Sequence, residues 1–135
     1  MPLKQDRMVA VLPKGHPMAA ASVFPIRSFR DVPFIMPAEG YDYDIMMVLD
    51  RYGVTPQISY STGEDNAAIA MIAAGLGVGL FNELTTVHYS DKIVRLPLEP
   101  PEYAELGISY PAKRMLSPAA KRFIKYLKEY VEGLK

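Results

Sequence analysis

The chain has 135 residues, which is the size of one ordinary domain, and half of them are hydrophobic, which is enough for a buried core. Its 15 basic and 15 acidic side chains give a formal net charge of zero, so its composition indicates neither a nucleic-acid-binding surface nor charge-driven disorder. The absence of cysteine excludes disulfides and thiolate metal sites. The start of the chain does not resemble a signal peptide, and no apolar run is long enough to cross a bilayer. A soluble, cytoplasmic protein is therefore predicted.

The first third of the chain predicts two strands separated by a weak helical turn. Residues 8–13 (MVAVLP) form a short apolar run that predicts a buried strand ending at Pro13. Residues 24–32 mix aromatic and charged side chains, which favours a single helical turn. Residues 33–37 (PFIMP) form another apolar run between prolines, which predicts the second strand.

A helix and a third strand are predicted next. The apolar residues recurring at helical spacing are Ile45, Met46, Val48, Leu49 and Tyr52. Asp42 and Asp44 fall in the expected first turn, where the helix dipole favours negative charge. Gly53 follows as the expected C-cap. In residues 54–62 apolar and polar side chains alternate after Pro56, which predicts a strand.

Residues 61–75 predict the strongest helix of the chain. Two capping-box pairings fit its start, namely Ser61 with Glu64 and Thr62 with Asp65. The helix body is apolar nearly all round, so burial on more than one face is expected. Gly75 ends this helix, and residues 78–84 (VGLFNEL) follow as a strand.

The last third predicts two strands and a closing helix. Residues 92–98 and 106–111 are the strands, with a proline-rich connection between them. Ser117 as N-cap and Pro118 at the first helical position start the helix. Its apolar stripe consists of Phe123, Ile124, Leu127, Val131 and Leu134. Helices alternating with strands predict an α/β fold, with a mainly parallel sheet flanked by helices.

Three glycines, Gly75, Gly77 and Gly79, resemble a phosphate-binding loop at first sight. A dinucleotide-binding fingerprint needs a strand before the glycines and a helix after them, and here the order is reversed. No GK[ST] follows, so a P-loop is excluded as well. We interpret these glycines as structural: a left-handed helix cap at Gly75, and close packing of the helix and strand backbones.

The candidate binding residues are at the ends of strands. In open α/β sheets, ligands bind outside the carboxyl ends of the strands, and the free N–H groups of a following helix attract anions. Two segments meet these conditions, one at the start of the second helix and one at the end of the next strand. Their residues are Ser61, Thr62, Gly63, Glu64, Phe81 and Asn82.

For the other polar residues, structural roles are predicted. His16 and His88 are far apart and lack a metal-ligand pattern, so no metal site is predicted. A Ser–His–Asp arrangement stays open, although no G-x-S-x-G motif supports one. The carboxylates Glu39, Asp42, Asp44 and Asp50 fit a helix start and a solvated face, while Glu39 and Tyr41 also follow a strand end and could face a ligand. The basic residues of the closing helix are mixed with glutamates opposite an apolar stripe, which indicates a solvated face.

Several stretches together resemble the LysR-type transcriptional regulators over essentially the whole chain. RMVAVLPKGHPMA resembles the strand and turn leading into the second subdomain of that family, and DVPFIMP resembles the following strand. GVTPQISYSTGEDNAAIAMIAAGLGVGLFNEL resembles the most recognisable stretch of the family, and LSPAAKRFIKYL resembles its closing helix. The order and spacing of these pieces make the resemblance specific.

The resemblance implies an effector-binding domain with a periplasmic-binding-protein-like fold, in which crossing strands join two α/β subdomains around a ligand cleft. Residues of about 14–105 would form the second subdomain. Residues 1–13 and 106–135 would supply the crossing strands and the C-terminal part of the first. The family's N-terminal winged helix-turn-helix, which binds DNA, and the first part of its first subdomain have no counterpart here. The effector-site residues implied are again Ser61 to Glu64, Phe81 and Asn82.

We therefore expect a ligand-sensing module of a bacterial regulator, without catalysis or cofactor. Its effector is expected to be a small molecule, and in this family the effector is often a small organic acid. Two alternatives stay open: a solute-binding transport protein of similar fold, and a small α/β enzyme. The apolar stripe of the closing helix predicts pairing with a second copy through Phe123, Leu127 and Val131.

Overall fold

The structure, a computed structural model, describes residues 1–38, 43–89 and 91–134. Its strands are β1 (Pro2–Pro13), β2 (Phe24–Pro25), β3 (Pro33–Met36), β4 (Gln57–Ser61), β5 (Gly79–Asn82), β6 (Ile93–Glu99) and β7 (Tyr103–Gly107). Its α-helices are α1 (Tyr43–Arg51), α2 (Asp65–Ala73) and α3 (Pro118–Gly133), and its 3-10 helices are Ile26–Arg30, Glu83–Tyr89 and Lys113–Met115. The chain divides into a larger unit, Asp6–Ala104, and a smaller unit, Met1–Gln5 with Glu105–Lys135.

The larger unit contains strands of a five-stranded sheet and of a two-stranded sheet, which include both antiparallel and parallel pairs. β1 runs antiparallel to both β5 and β6, and it also pairs with β7. The other pairs are parallel: β2 with β6, β3 with β4, and a single bridge between Phe34 and Val78 that joins β3 to the residue before β5. The predicted α/β class with a mainly parallel sheet is confirmed.

Both faces of β1 are buried from Met8 to Leu12, which explains the continuous apolar run there. Met8, Ala10 and Leu12 face a cluster that contains α1 and several phenylalanine rings. Val9 and Val11 face the opposite cluster, which contains α2. The alternation follows from the period of two along a strand, and a strand covered on both sides needs apolar residues at every position.

Glycines end α1 and α2 in the same way, as the sequence predicts. Gly53 has a φ of 66°, and its N–H donates to the carbonyl of Asp50 at 3.1 Å. Gly75 has a φ of 87°, and its N–H donates to the carbonyl of Ile72 at 2.9 Å. A left-handed residue that turns its N–H back onto the last turn satisfies carbonyls that the helix leaves unpaired.

The next two glycines lie where the backbone has no room for a side chain. A Cβ on Gly77 would stand 2.8 Å from the carbonyl oxygen of Pro33 in β3. A Cβ on Gly79 would stand 2.6 Å from the ring of Phe81 and 2.8 Å from the side chain of Ile72 in α2. Gly77 therefore allows the chain before β5 to lie close to β3, and Gly79 allows β5 to lie close to a side chain of α2.

The start and the burial of α2 differ from the prediction. The helix begins at Asp65 with Glu64 as N-cap, and Glu64 makes no side-chain capping hydrogen bond, so both predicted capping boxes are wrong. The Thr62 hydroxyl instead accepts a hydrogen bond from the N–H of Glu64 at 3.3 Å, which forms a turn before the helix. Only one side of α2 is buried, and its outer side presents alanines.

Two predicted strands also have different bounds. The predicted strand at 78–84 ends at Asn82, because the 3-10 helix Glu83–Tyr89 begins directly after it. The predicted strand at 106–111 lies earlier, at Tyr103–Gly107, so that it begins within the proline-rich segment that was predicted to be a connection. The expectations for Glu39, Tyr41 and Asp42 concern positions outside the described residues.

The smaller unit consists of the chain ends and α3. The N-terminal amine of Met1 donates to the carbonyl of Ile108 at 2.8 Å. Ser117 caps α3 as predicted, because its hydroxyl accepts a hydrogen bond from the N–H of Ala120 at 3.1 Å. None of the described residues of this unit is fully buried. No helix in the described part of the chain is both long and apolar enough to span a membrane.

Candidate functional site

A small cavity of about 70 Å³ lies in the larger unit, at an edge where strands end and helices begin. The first turns of α1 and α2, the end of β5 and the 3-10 helix that follows β5 all contribute to it. Its lining residues are Pro37, Asp44, Ile45, Asp65, Leu80, Phe81, Asn82 and Thr85. This position, beyond the ends of β3 and β5, is the edge at which α/β sheets hold ligands.

The structure brings two of the six predicted site residues into the cavity wall. Phe81 is buried and Asn82 is half-buried there. The lining that the structure describes does not include Ser61, the last residue of β4, or residues 62–64, which connect β4 to α2. In this connection the N–H of Thr62 donates to the carbonyl of Met36 at 3.0 Å, which extends the pairing of β3 with β4.

Three polar residues of the cavity were not among the predicted site residues: Asp44, Asp65 and Thr85. Asp44 and Asp65 occupy equivalent places, since each stands in the first turn of a helix that follows a strand of the parallel β3–β4 pair. That shared placement was a usable signal, although we interpreted Asp44 as part of a solvated face. Thr85 gave no signal, because it lies just after the predicted strand at 78–84, in a stretch for which no element was predicted.

The polar groups around the cavity differ in charge and in hydrogen-bonding capacity. Helix N-termini favour negative charge, and the carboxylates of Asp44 and Asp65 already provide it at α1 and α2. Carboxylates accept hydrogen bonds, whereas the amide of Asn82 and the hydroxyl of Thr85 both donate and accept. The cavity therefore suits a small polar group that has hydrogen-bond donors better than it suits a bare anion.

Two residues of β1 hold the 3-10 helix next to the cavity. The carboxylate of Asp6 accepts a hydrogen bond from the N–H of Leu84 at 3.2 Å. The guanidinium of Arg7 donates to the carboxylate of Glu83 at 2.6 and 3.2 Å, and this hydrogen bonding raises the pKa of Arg7. The hydroxyl of Thr86 donates to the carbonyl of Glu83 at 2.7 Å. The segment after Asn82 is thus fixed to the central strand.

A second polar cluster joins the end of α1 to the segment before β7. The carboxylate of Glu102 accepts hydrogen bonds from Arg51 at 2.5 Å and from the Tyr52 hydroxyl at 2.6 Å. Burial acts to raise the pKa of Glu102, but the hydrogen bonds from Tyr52 and Arg51 outweigh it and leave the pKa below its usual value. The pKa of Tyr52 is raised, mainly by its hydrogen bond to Glu102 and to a smaller extent by burial. The cluster is therefore a charged, hydrogen-bonded contact.

The described residues offer no cluster of three or more histidine, cysteine, aspartate or glutamate side chains placed to hold a metal ion. His16 has a local role instead, since its Nδ1 accepts a hydrogen bond from the N–H of Met18 at 3.1 Å in the turn after β1. His88 is exposed in the 3-10 helix after β5.

Comparison with known families gives a match over nearly the whole chain. The family described as LysR substrate binding domain matches residues 1–132. Among individual proteins, the chain is 29% identical over 129 residues to YvbU, an uncharacterized HTH-type transcriptional regulator of Bacillus subtilis (strain 168). That alignment covers 94% of this chain and 44% of YvbU, so the chain spans less than half the length of this relative.

Solved structures show the same fold. The chain superposes on HinK, a LysR family transcriptional regulator from Pseudomonas aeruginosa, with a TM-score of 0.82 and 24% identity, covering 100% of this chain and 49% of HinK. It superposes on the CcmR regulatory domain of Synechocystis PCC6803, solved in complex with 2-PG, with a TM-score of 0.84 and 23% identity. That match covers 97% of this chain and 65% of the CcmR chain. The periplasmic-binding-protein-like fold is therefore confirmed.

Proposed function

Because the chain belongs to the LysR substrate binding domain family, we propose that it is the ligand-sensing part of a bacterial transcriptional regulator. The observation that carries this proposal is the family match over residues 1–132. The regulator binds a small-molecule effector with this part and binds DNA through an N-terminal winged helix-turn-helix outside this sequence. We place it in the cytoplasm, without catalysis, which agrees with relatives that are transcriptional regulators.

The effector site in this proposal combines the predicted residues with the cavity. Phe81 and Asn82 line it, and residues 61–64 supply hydroxyl and backbone groups beside it. Its support is the position of the cavity at the carboxyl ends of β3 and β5. The subdomain assignment, with 14–105 as the second subdomain and 1–13 and 106–135 as crossing strands and the C-terminal part of the first, belongs to the same proposal.

The mechanism follows from linkage between ligand binding and conformation. An effector shifts a regulator between two arrangements only if it binds one of them more tightly than the other. The cleft of the regulator closes around the effector, and the differential contacts at the site supply that difference in affinity. In the complex of the CcmR regulatory domain, the ligand is 2-PG. For this chain we propose the broader class of small polar molecules that carry hydrogen-bond donors, hydroxylated organic acids among them.

The proposal is tested by ligand binding in a regulator that contains this chain and its complete effector domain. A thermal-shift screen of small carboxylates and amino acids identifies the effector. Thr62→Ala and Asn82→Ala are then expected to lower its affinity about tenfold each, because each removes a hydrogen-bonding group. Isothermal titration measures the affinity, and a promoter–reporter assay measures the response.

The matched control is Thr55→Ala, which removes the same hydroxyl from an exposed threonine before β4. It is expected to leave affinity and reporter response unchanged. Unchanged affinity in both Thr62→Ala and Asn82→Ala would exclude the proposed site, and the absence of any effector response in the reporter would exclude the sensing function.

We also propose that the chain self-associates through α3. Its support is the exposure of large apolar side chains on this helix, among them Phe123 at 64% and Tyr130 at 67%. Leu127 and Val131 are half-buried beside them. Phe123→Lys is expected to shift the chain toward monomer in light scattering at increasing concentration. Ile58→Lys, which charges an equally apolar exposed position on β4, is the control, and a monomer before any substitution contradicts the proposal.

A further inference from the structure

Two buried acids mark the places where the chain leaves the larger unit. The buried polar residues in the described part of the chain are Asp6, Thr86 and Glu102. Asp6, 4% exposed, is the first residue of the larger unit, and Glu102, 8% exposed, lies close to its last residue, Ala104. Burying a carboxylate is costly unless hydrogen bonds compensate for lost hydration. The partners of these two acids therefore indicate what each position is for.

The first acid contacts the segment that carries the cavity wall. Asp6 accepts the N–H of Leu84, and its neighbour Arg7 binds the carboxylate of Glu83. These two partners stand between Asn82 and Thr85, both of which line the cavity. A displacement of the cavity wall at this point therefore acts directly on the hydrogen bond to Asp6.

The second acid reaches the same cavity through α1. Glu102 is held by Arg51 and Tyr52 at the C-terminal end of this helix, and its carbonyl accepts the N–H of Met8 at 2.9 Å. Asp44 and Ile45, in the first turn of α1, line the cavity. A short, packed helix moves as a unit, because its backbone hydrogen bonds resist bending within a few turns. A shift at one end therefore reaches the other.

We propose that Asp6 and Glu102 are the two positioning residues that couple the cavity to β1 and β7, the strands through which the chain leaves the larger unit. The proposal rests on the proposed function only in taking the cavity as the effector site. Each acid is one element away from the cavity and next to a boundary of the unit. Coupling between two sites is reciprocal, so weakening an anchor must also loosen the cavity wall. This reciprocity allows a test that needs no ligand.

The test is hydrogen–deuterium exchange on the whole chain, comparing Glu102→Gln with wild type. We expect about tenfold faster amide exchange at 103–107 and along α1, up to the cavity-lining residues of its first turn, with α2 unchanged. Asp6→Asn is expected to accelerate exchange at 83–86 and in the first part of β1. Glu105→Gln is the matched control, since it neutralises an exposed acid on β7, and it is expected to change neither region.

Two results would overturn the proposal. Faster exchange at 103–107 with α1 unaffected would leave Glu102 as a local anchor, and an equal increase throughout the chain, α2 included, would make its role one of general stability. If Glu102→Gln does not fold, Tyr52→Phe, which removes a single hydrogen bond, is read by the same criteria. Because no ligand is present, a negative result leaves the proposed sensing function standing, while the Thr62→Ala and Asn82→Ala titrations test that function separately.

Discussion

Replacing Phe29 by alanine is expected to lower the free energy of unfolding by about 3–5 kcal/mol. Phe29 is 0% exposed, and its ring centroid lies 4.5 Å from that of Phe24 and 5.6 Å from that of Phe34. Truncation removes the buried ring and leaves a cavity between two aromatic neighbours that face it from different elements. Since a domain is stable by only about 5–15 kcal/mol, this loss is a large share of the total. Urea denaturation followed by circular dichroism measures it.

Tyr60→Ala is the matched control, because it also removes an aromatic ring, at a position that is 47% exposed on β4. Its effect on unfolding is expected to stay within about 0.5 kcal/mol. Comparable losses for the two variants would contradict the placement of the phenylalanine cluster at the centre of the core. An altered slope of the denaturation curve would instead indicate that the unfolded state had changed.

Gly77→Ala is expected to lower the free energy of unfolding by about 1–3 kcal/mol, toward the upper end of that range. The added Cβ would stand 2.8 Å from the carbonyl oxygen of Pro33 and 3.1 Å from the Cδ1 of Ile35. A side chain can rotate away, but the carbonyl belongs to β3 and accepts a hydrogen bond from the N–H of Val78 at 2.9 Å. Relief of the overlap therefore requires separating the two strands. Thermal and urea denaturation measure the loss.

The control for this substitution is Gly133→Ala in α3. No heavy atom lies within 4 Å of the position its Cβ would take, and its φ is not positive. Alanine favours helix over glycine by up to about 1 kcal/mol, so no loss of stability is expected. If Gly77→Ala were as harmless as Gly133→Ala, the close approach of β3 to the residues before β5 would be wrong.

Local patterns predicted most elements of the larger unit correctly. The apolar run at 8–13 marks the buried part of β1, and Gly53 and Gly75 mark the ends of α1 and α2 at the right residues. These features depend on a few neighbouring residues: period along a strand, and the freedom of glycine to take a positive φ. The wrong capping predictions at α2 also concern neighbouring residues, since the Thr62 hydroxyl accepts a hydrogen bond from the N–H of Glu64 in a turn before the helix.

Local sequence patterns predicted only part of the candidate site. Phe81 and Asn82 were found because strand ends in α/β sheets are binding positions, and both line the cavity. Thr85 was missed, since its approach to the same cavity depends on how the 3-10 helix after β5 packs onto the sheet. Local propensity carries no information about that packing.

The sequence by itself determined the α/β class, most strand and helix positions and the structural role of the three glycines, because these follow from interactions between residues close together in the chain. Only the tertiary structure decided which polar residues meet. Glu102 lies 51 positions from Arg51 and 50 from Tyr52, and Asp6 lies 78 positions from Leu84. Whether a carboxylate so far from its partners is buried with hydrogen bonds or left in water depends on the folded sheet that brings them together.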